Sequence, residues 1–259
     1  MQVLPLETTL TYGPLFSRRL GRSLGVNVLP FDCKVCSFDC VYCHYGYTTV
    51  KTLTPSGVAF PAVDAILHAI ETALRRYPHV DALTFSGNGE PTLHPHFPAI
   101  VAGTRRLRDA LAPNVKLALF SNATTAHLPH IQACLLDFDL PILKLDAGDP
   151  ATLAWVNRPA AGVTLDSILV GLKTTPNLIV QSVLIDGEVS NSKGEALEAW
   201  IAALDALRPA AVQLYSTDYP VPDAGVERVP PYVLKRIANE VMGRTGLRVE
   251  AFWRQTDRR

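Results

Sequence analysis

Short apolar runs alternate with amphipathic stretches along most of the chain. The amphipathic stretch at residues 65–77 places Ile66, Ile70 and Leu74 on one helical face, and Pro78 ends the pattern. Further helices are predicted at residues 97–111, 128–136, 151–156, 164–172 and 195–207. The apolar runs predict six strands, at residues 24–29, 82–86, 115–121, 142–146, 178–185 and 211–215.

Apolar strands that are each followed by a helix are typical of a parallel sheet with helices on its outside. The pattern therefore predicts an α/β fold, and by itself it accommodates a doubly wound sheet nearly as well as a barrel. In both architectures ligands bind at the carboxyl ends of the strands. The tail adds a predicted helix at residues 232–242 and an alternating, strand-like pattern at residues 247–253.

Composition sets the class of protein. A chain of 259 residues with 48% apolar side chains can bury one full core. Its 24 basic and 24 acidic side chains leave no global field that would attract nucleic acid. Two arginine trios, at residues 18, 19 and 22 and at residues 105, 106 and 108, are most simply solvated faces.

No apolar stretch approaches the ~18 residues of a membrane span, and the N-terminus lacks a signal pattern. Four of the five cysteines are clustered, at Cys33, Cys36, Cys40 and Cys43. In a chain without an export signal, such clustering favours metal binding over disulfides. We therefore expect a cytoplasmic protein in a reducing setting.

The last three clustered cysteines form a C-x3-C-x2-C pattern. Three thiolates at this spacing can hold three corners of a [4Fe–4S] cube, and the fourth iron then stays open to an outside ligand. Zinc is the alternative, because Cys33–Cys36 and Cys40–Cys43 are two C-x2-C pairs. Paired zinc ligands usually stand a dozen or more residues apart, which disfavours that assignment. Cys33 is either a bystander, which we favour, or the ligand that closes the fourth iron.

Four segments carry a family resemblance: GPLFSRRLGRSLG at residues 13–25, SGNGEPTLHP at 86–95, FSN at 120–122 and LKLDA at 143–147. Together with the cysteine motif they resemble the radical S-adenosylmethionine (SAM) superfamily, in the branch that includes the wyosine-type tRNA-modifying enzymes. The resemblance implies a partial (β/α)6 TIM-like barrel of parallel strands. It places a core at residues 1–222, with a lead-in at 1–22 and the barrel at 23–222, and a helix–strand extension at 223–259.

The resemblance also implies a reaction. Cys36, Cys40 and Cys43 would ligate the [4Fe–4S] cluster, and the amino and carboxylate groups of SAM would chelate its open iron. An external one-electron donor such as flavodoxin or ferredoxin would reduce the cluster. Cleavage of SAM would then give a 5′-deoxyadenosyl radical that abstracts hydrogen from a substrate.

Residues at the predicted strand ends are the expected SAM contacts. The glycines would let the backbone approach the methionyl end, and Glu90 would accept from the SAM ammonium. Simpler interpretations exist: an ordinary N-G turn, a helix cap at Ser121 and Asn122, and a structural ion pair between Lys144 and Asp146. Gln181 and Tyr215 are weaker candidates for lining the same cavity. The full set of expected SAM contacts is Tyr42, Gly87, Asn88, Gly89, Glu90, Ser121, Asn122, Lys144, Asp146 and Ser182.

The sequence is compatible with more than one class of substrate. Wyosine-type enzymes carry a second cluster on additional N-terminal cysteines, and this chain has no cysteine before Cys33. One hypothesis is an enzyme that modifies a nucleobase or tRNA, and another is an enzyme that acts on a small molecule or peptide. A third is a non-enzymatic four-cysteine iron–sulfur or zinc module.

Overall fold

The computed structural model of the chain describes residues 3–254. Within them the strands are β1 (Thr11–Ser17), β2 (Gly21–Val26), β3 (Val35–Cys36), β4 (Val50–Lys51), β5 (Ala82–Phe85), β6 (Lys116–Ser121), β7 (Leu140–Lys144), β8 (Ile179–Val183), β9 (Ile185–Gly187), β10 (Ala211–Tyr215), β11 (Val226–Arg228) and β12 (Val249–Phe252). The α-helices are α1 (Val63–Arg76), α2 (Phe97–Leu111), α3 (Pro129–Leu135), α4 (Pro150–Val156), α5 (Leu165–Thr174), α6 (Gly194–Leu207) and α7 (Pro231–Thr245). A single 3-10 turn covers Pro91–Leu93.

One eight-stranded sheet organises the molecule, in the order β1-β2-β5-β6-β7-β8-β10-β12. Within this sheet the neighbours from β2 onward run parallel, and β1 pairs antiparallel with β2. The sheet is curled into a half-barrel. The six strands expected from the apolar runs are β2, β5, β6, β7, β8 and β10, so the predicted partial barrel is confirmed. Their carboxyl ends meet along one edge, as connections between parallel strands require.

The first barrel strand lies earlier than the apolar run at residues 24–29 indicates. It ends at Val26, because the side chain of Asn27 forms a local turn with Leu29, accepting from its N–H at 3.3 Å and donating to its carbonyl at 3.1 Å. Val28 and Leu29 are fully buried although they lie outside the sheet. The last residues of that apolar run are therefore apolar because they are buried in the core, and not because they belong to a strand.

The lead-in contributes a strand that the apolar pattern does not reveal. Strand β1 forms a hairpin with β2 whose register is irregular between Tyr12 and Leu15. The ring of Tyr12 lies over Gly25, where an added Cβ would stand 2.0 Å from a ring carbon. This hairpin carries the turn that contains Arg18 and Arg19 to the open edge of the barrel.

The core lies between the curled sheet and the outer helices, with Trp200, Phe85 and Phe97 among its largest buried side chains. Strand β12 pairs in parallel with β10, so it extends the main sheet. The division between a core and an extension at residue 222 stays a prediction. In the described part of the chain, no helix combines the length and the apolar character that crossing a bilayer demands.

Candidate functional site

A cavity of about 340 Å³ opens at the carboxyl ends of the parallel strands. Most of the predicted site residues line it: Cys36, Cys40, Tyr42, Cys43, Gly87, Gly89, Glu90, Ser121, Asn122 and Lys144. The weaker candidates Gln181 and Tyr215 line it as well. Several lining residues were not predicted as contacts: Tyr12, Arg19, Lys34, Phe38, His44, Tyr45, Ser86 and Phe120. Residues that stand far apart in the sequence therefore form one pocket.

The cysteine loop follows β2 and is held by backbone hydrogen bonds to two other loops. Val35 forms a parallel bridge with Gly89, and the Glu90 N–H donates to the Val35 carbonyl at 3.0 Å. On its other side, the Val41 N–H donates to the carbonyl of Val156 at 3.0 Å. Cys33 is half-buried and does not line the cavity.

Two of the cysteine sulfurs accept hydrogen bonds from three donors. Cys36 Sγ accepts from the Phe38 N–H and from the Asn122 carboxamide, each at 3.5 Å. Cys40 Sγ accepts from the carboxamide of Asn157 at 3.3 Å. Donors to sulfur stabilise the thiolate form, which is the form that binds metal.

Burial sets the acidity of these thiols. It raises the pKa of Cys40 to about 11, with a smaller contribution from Asp146, and it raises the pKa of Cys36 further above the usual range. Thiols of this kind are neutral at pH 7 in the metal-free chain, so metal binding would release their protons. In residues 3–254, no three His, Cys, Asp or Glu side chains are arranged to chelate a single metal ion.

Lys34 is buried inside the cysteine loop. Its ammonium donates to the carbonyl of Gly46 at 2.6 Å. Burial alone would lower the pKa of Lys34, but its interactions with the sulfurs of Cys43, Cys36 and Cys40 outweigh burial and raise the pKa. The cation would therefore offset thiolate charge in the loop once metal binding had released the thiol protons. The sequence offered one signal for it, a lysine between the first two cysteines.

The glycine-rich loop after β5 is shaped by two residues with positive φ, Gly87 at +129° and Gly89 at +136°. A Cβ at Gly89 would stand 1.9 Å from the Val35 carbonyl oxygen, so only glycine permits the bridge to the cysteine loop. Asn88 points away from the cavity. Its side chain accepts from the Glu7 N–H at 2.7 Å and donates to the Pro30 carbonyl at 2.8 Å, which fastens the lead-in to this loop.

Glu90 is fully buried at the cavity wall. Its carboxylate accepts from the Asn122 N–H at 2.6 Å and from the Thr92 hydroxyl at 2.7 Å. Burial raises the pKa of Glu90, although these hydrogen bonds oppose that shift. A cation placed in the cavity would therefore find a carboxylate that is already desolvated and fixed in orientation.

Ser121 and Asn122 do not cap a helix, because α3 begins only at Pro129. The Ser121 hydroxyl accepts from the Ala123 N–H at 3.1 Å. The Asn122 carboxamide donates to Ser37 Oγ at 2.9 Å and accepts from the Thr124 hydroxyl at 2.8 Å. Asn122 thus stands between the sulfur of Cys36 and the end of β6.

Lys144 and Asp146, both expected as SAM contacts, form an ion pair with 3.4 Å between Nζ and Oδ1. Burial alone would lower the pKa of Lys144, but the Asp146 carboxylate outweighs it and raises the pKa. The Tyr42 hydroxyl donates to Asp146, and the Lys144 ammonium lies over the Tyr42 ring at 5.1 Å. Lys144 faces the cavity, whereas Asp146 lies behind it, as does Ser182, whose hydroxyl donates to the Leu145 carbonyl.

Known proteins share parts of this sequence. The radical SAM superfamily profile matches residues 33–213. A UPF0026 protein from Methanocaldococcus jannaschii is 36% identical over 166 residues, which are 63% of this chain and 49% of that protein. A UPF0026 protein from Synechocystis is 32% identical over 217 residues, 82% of this chain and 76% of that protein. A GTPase Obg from Brachyspira hyodysenteriae is 29% identical over 213 residues, 81% of this chain and 30% of that protein. The chain thus spans less than half the length of two of these relatives.

Solved structures share the fold at low sequence identity. TYW1 with a bound lysine–pyruvate adduct has a TM-score of 0.62 at 12% identity, over 86% of this chain and 74% of that one. Streptococcus suis SuiB bound to S-adenosylmethionine has a TM-score of 0.62 at 11% identity, over 89% and 51%. TsrM from Kitasatospora setae, with cobalamin and a [4Fe–4S] cluster, has a TM-score of 0.51 at 13% identity, over 80% and 38%. With a superfamily profile that covers more than half of its length, this chain belongs to the radical SAM superfamily.

Proposed function

We propose that this protein is a radical SAM enzyme in which Cys36, Cys40 and Cys43 hold three irons of a [4Fe–4S] cluster. The fourth iron is left for SAM. One observation carries this proposal: the three cysteines and the glycine-rich loop line the same cavity, and backbone pairing between Val35 and Gly89 joins their two loops.

The residues present fit such a cluster better than they fit zinc. Thiolates bound to one zinc ion at about 2.3 Å would stand roughly 4 Å apart. No such group exists in the described part of the chain, whereas a cube spreads its ligands over separate iron atoms. The donors to Cys36 and Cys40 suit a cluster with sulfur ligands. Cys33 lies outside the cavity, which supports its role as a bystander.

A bound, reduced cluster held by Cys36, Cys40 and Cys43 would supply the electron for reductive cleavage of SAM, which is the source of the radical chemistry on the substrate. The chain's own residues bind and orient. Glu90 accepts from the SAM ammonium, and Asn122 and Ser121 contribute polar contacts beside it. Tyr42 closes the wall next to Cys43. Asn88, Asp146 and Ser182 act indirectly, by holding the loops that carry the contact residues.

The reduced cluster needs an external one-electron donor, such as flavodoxin or ferredoxin. The substrate is a nucleobase or tRNA, or else a small molecule or peptide. SuiB, which shares the fold, is also known bound to a precursor peptide. Binding of tRNA that weakens steeply with salt would favour the RNA substrate, because phosphate contacts release counterions.

The test is anaerobic reconstitution with iron and sulfide, followed by reductant and SAM. We expect about four irons per chain and formation of 5′-deoxyadenosine. The Cys36→Ala, Cys40→Ala and Cys43→Ala variants should each lose both. Cys33→Ala should keep both, and so should Cys134→Ala, a matched control that removes a buried thiol on α3 far from the cavity.

Two results would contradict the proposal. A purified protein that holds zinc and forms no 5′-deoxyadenosine would show a structural metal module. Equal loss of iron from the Cys33→Ala and Cys36→Ala variants would show a cluster closed by four cysteines, which has no open iron for SAM.

A further inference from the structure

The guanidinium of Arg19 lies at the rim of the cavity. Its guanidinium lies over the ring of Tyr215, 4.8 Å from the ring centroid, and over that of Phe120, at 5.2 Å. The neighbouring Arg18 pairs with Asp218 at 2.6 Å, but no carboxylate within residues 3–254 forms an ion pair with Arg19. The rings hold the guanidinium plane while its N–H donors stay available.

Gln181 places a second unused donor in the same cavity. The side chain is only 5% exposed. Its Oε1 accepts from the Tyr215 hydroxyl at 3.1 Å, while its Nε2 is buried and has no acceptor among the described residues. A buried N–H group without a partner is costly, so an acceptor supplied by a ligand would remove that cost.

A second cation lies near these two donors. The ammonium of Lys144 also lies over the ring of Tyr215, 5.6 Å from its centroid, and pairs with Asp146 behind the cavity wall. Among residues 3–254, Glu90 is the one carboxylate that lines the cavity, and it belongs to the glycine-rich loop after β5, whereas Gln181 belongs to β8. The donor-rich part is therefore built on different strands from the part proposed to bind the SAM ammonium.

We propose that Arg19 and Gln181 form a subsite for an anionic oxygen group of the substrate, a carboxylate or a phosphate. The guanidinium fork offers two parallel N–H bonds to such a group, and the Gln181 amide supplies a third. The Tyr215 hydroxyl orients that amide by occupying its oxygen. This inference rests on the proposed function, because it takes the cavity to be the active site.

The test is a titration of the reconstituted, SAM-saturated protein with inorganic phosphate or with succinate, at constant ionic strength, measured by calorimetry. Both Arg19→Gln and the nearly isosteric Gln181→Glu should weaken binding of the preferred anion by about tenfold or more. Arg22→Gln is the matched control, since it removes the same charge from an exposed position of the same segment outside the cavity. It should change the affinity by less than about twofold.

The results of this titration identify the class of anion, and they also show whether the proposed subsite exists. Tighter binding of phosphate assigns a phosphorylated substrate, and tighter binding of succinate assigns a carboxylate. The subsite is overturned if neither anion saturates, if Arg22→Gln loses as much as Arg19→Gln, or if Arg19→Gln weakens SAM binding instead of anion binding. Formation of 5′-deoxyadenosine by the unmodified protein tests the proposed function separately, because it requires neither probe.

Discussion

The carboxamide of Asn157 donates a hydrogen bond to the sulfur of Cys40 at 3.3 Å, across 117 positions of sequence. Asn157 follows directly after α4 and is completely buried. The same amide nitrogen also donates to Asp146 Oδ2 at 2.8 Å. Asn157 thereby connects a proposed cluster ligand to the carboxylate that pairs with Lys144.

Removing this donor should change the redox behaviour of the proposed cluster. Hydrogen bonds to ligand sulfurs stabilise the reduced state of a cluster, which carries more negative charge. Loss of this single hydrogen bond in Asn157→Ala should therefore lower the reduction potential by an amount on the order of tens of millivolts. An anaerobic redox titration followed by electron paramagnetic resonance measures it. The exposed Asn114→Ala variant should keep the original potential. An unchanged potential in folded Asn157→Ala protein would show that the bond does not act on the cluster.

Gly89→Ala should separate the glycine-rich loop from the cysteine loop. The new Cβ would meet a backbone carbonyl oxygen at 1.9 Å and would occupy a positive φ, so we expect a loss of about 2–4 kcal/mol in unfolding free energy. Iron retention should fall as well. Gly243→Ala is the matched control, because nothing lies near that helical position and alanine should stabilise α7 by about 0.5–1 kcal/mol. Chemical denaturation measures the unfolding free energy of both variants. Equal unfolding free energies for Gly89→Ala and Gly243→Ala would refute the steric argument.

Glu90→Gln should weaken SAM binding without loss of the cluster. The amide keeps the size of the carboxylate but removes the charge that would pair with the SAM ammonium. We therefore expect the SAM dissociation constant to rise by about tenfold.

Equilibrium dialysis of the reconstituted protein measures this dissociation constant, with iron content as the internal check. The exposed Glu195→Gln variant should bind SAM normally, and a normal affinity in Glu90→Gln would remove Glu90 from the SAM site.

Asp139 should stabilise the fold in a pH-dependent way. Burial would raise the pKa of Asp139, but hydrogen bonds from the Leu117 N–H and the Arg108 guanidinium, each 2.8 Å long, outweigh it and lower the pKa. A lowered folded-state pKa gives stability that is present above the unfolded-state pKa and lost as pH falls through the folded-state value. Asp139→Asn should therefore cost about 1 kcal/mol at pH 7 and progressively less below about pH 4.

Thermal unfolding at a series of pH values measures this difference. Asp205→Asn is the comparison, because its pair with Arg208 is a surface pair in which both side chains are more than half exposed. It should change stability by less than about 0.5 kcal/mol at any pH. A constant difference between Asp139→Asn and the unmodified chain down to pH 2 would contradict the assignment.

The arginine trios show where local pattern stops being informative. The pattern favours a solvated face for both, since charge runs usually lie on one. Arg22 fits that interpretation, but Arg19 lies over two aromatic rings at the cavity rim. Arg108 is buried and donates to the Val115 carbonyl at 2.7 Å. Which member of a charge run turns inward depends on what the rest of the fold places opposite it.

The linear sequence was enough to place the six barrel strands, the helices that follow them, the cysteine motif and the glycine-rich loop. These features depend on periodicity and spacing within a few residues, which a linear sequence carries directly. Folding in three dimensions was needed to show that Asn157 reaches Cys40, that Asp146 and Ser182 stand behind the cavity wall, and that Gln181 Nε2 has no acceptor among residues 3–254. The physical reason is that parallel strands bring their carboxyl ends to one edge, where side chains far apart in sequence become neighbours, and curvature and packing select which of them face the cavity.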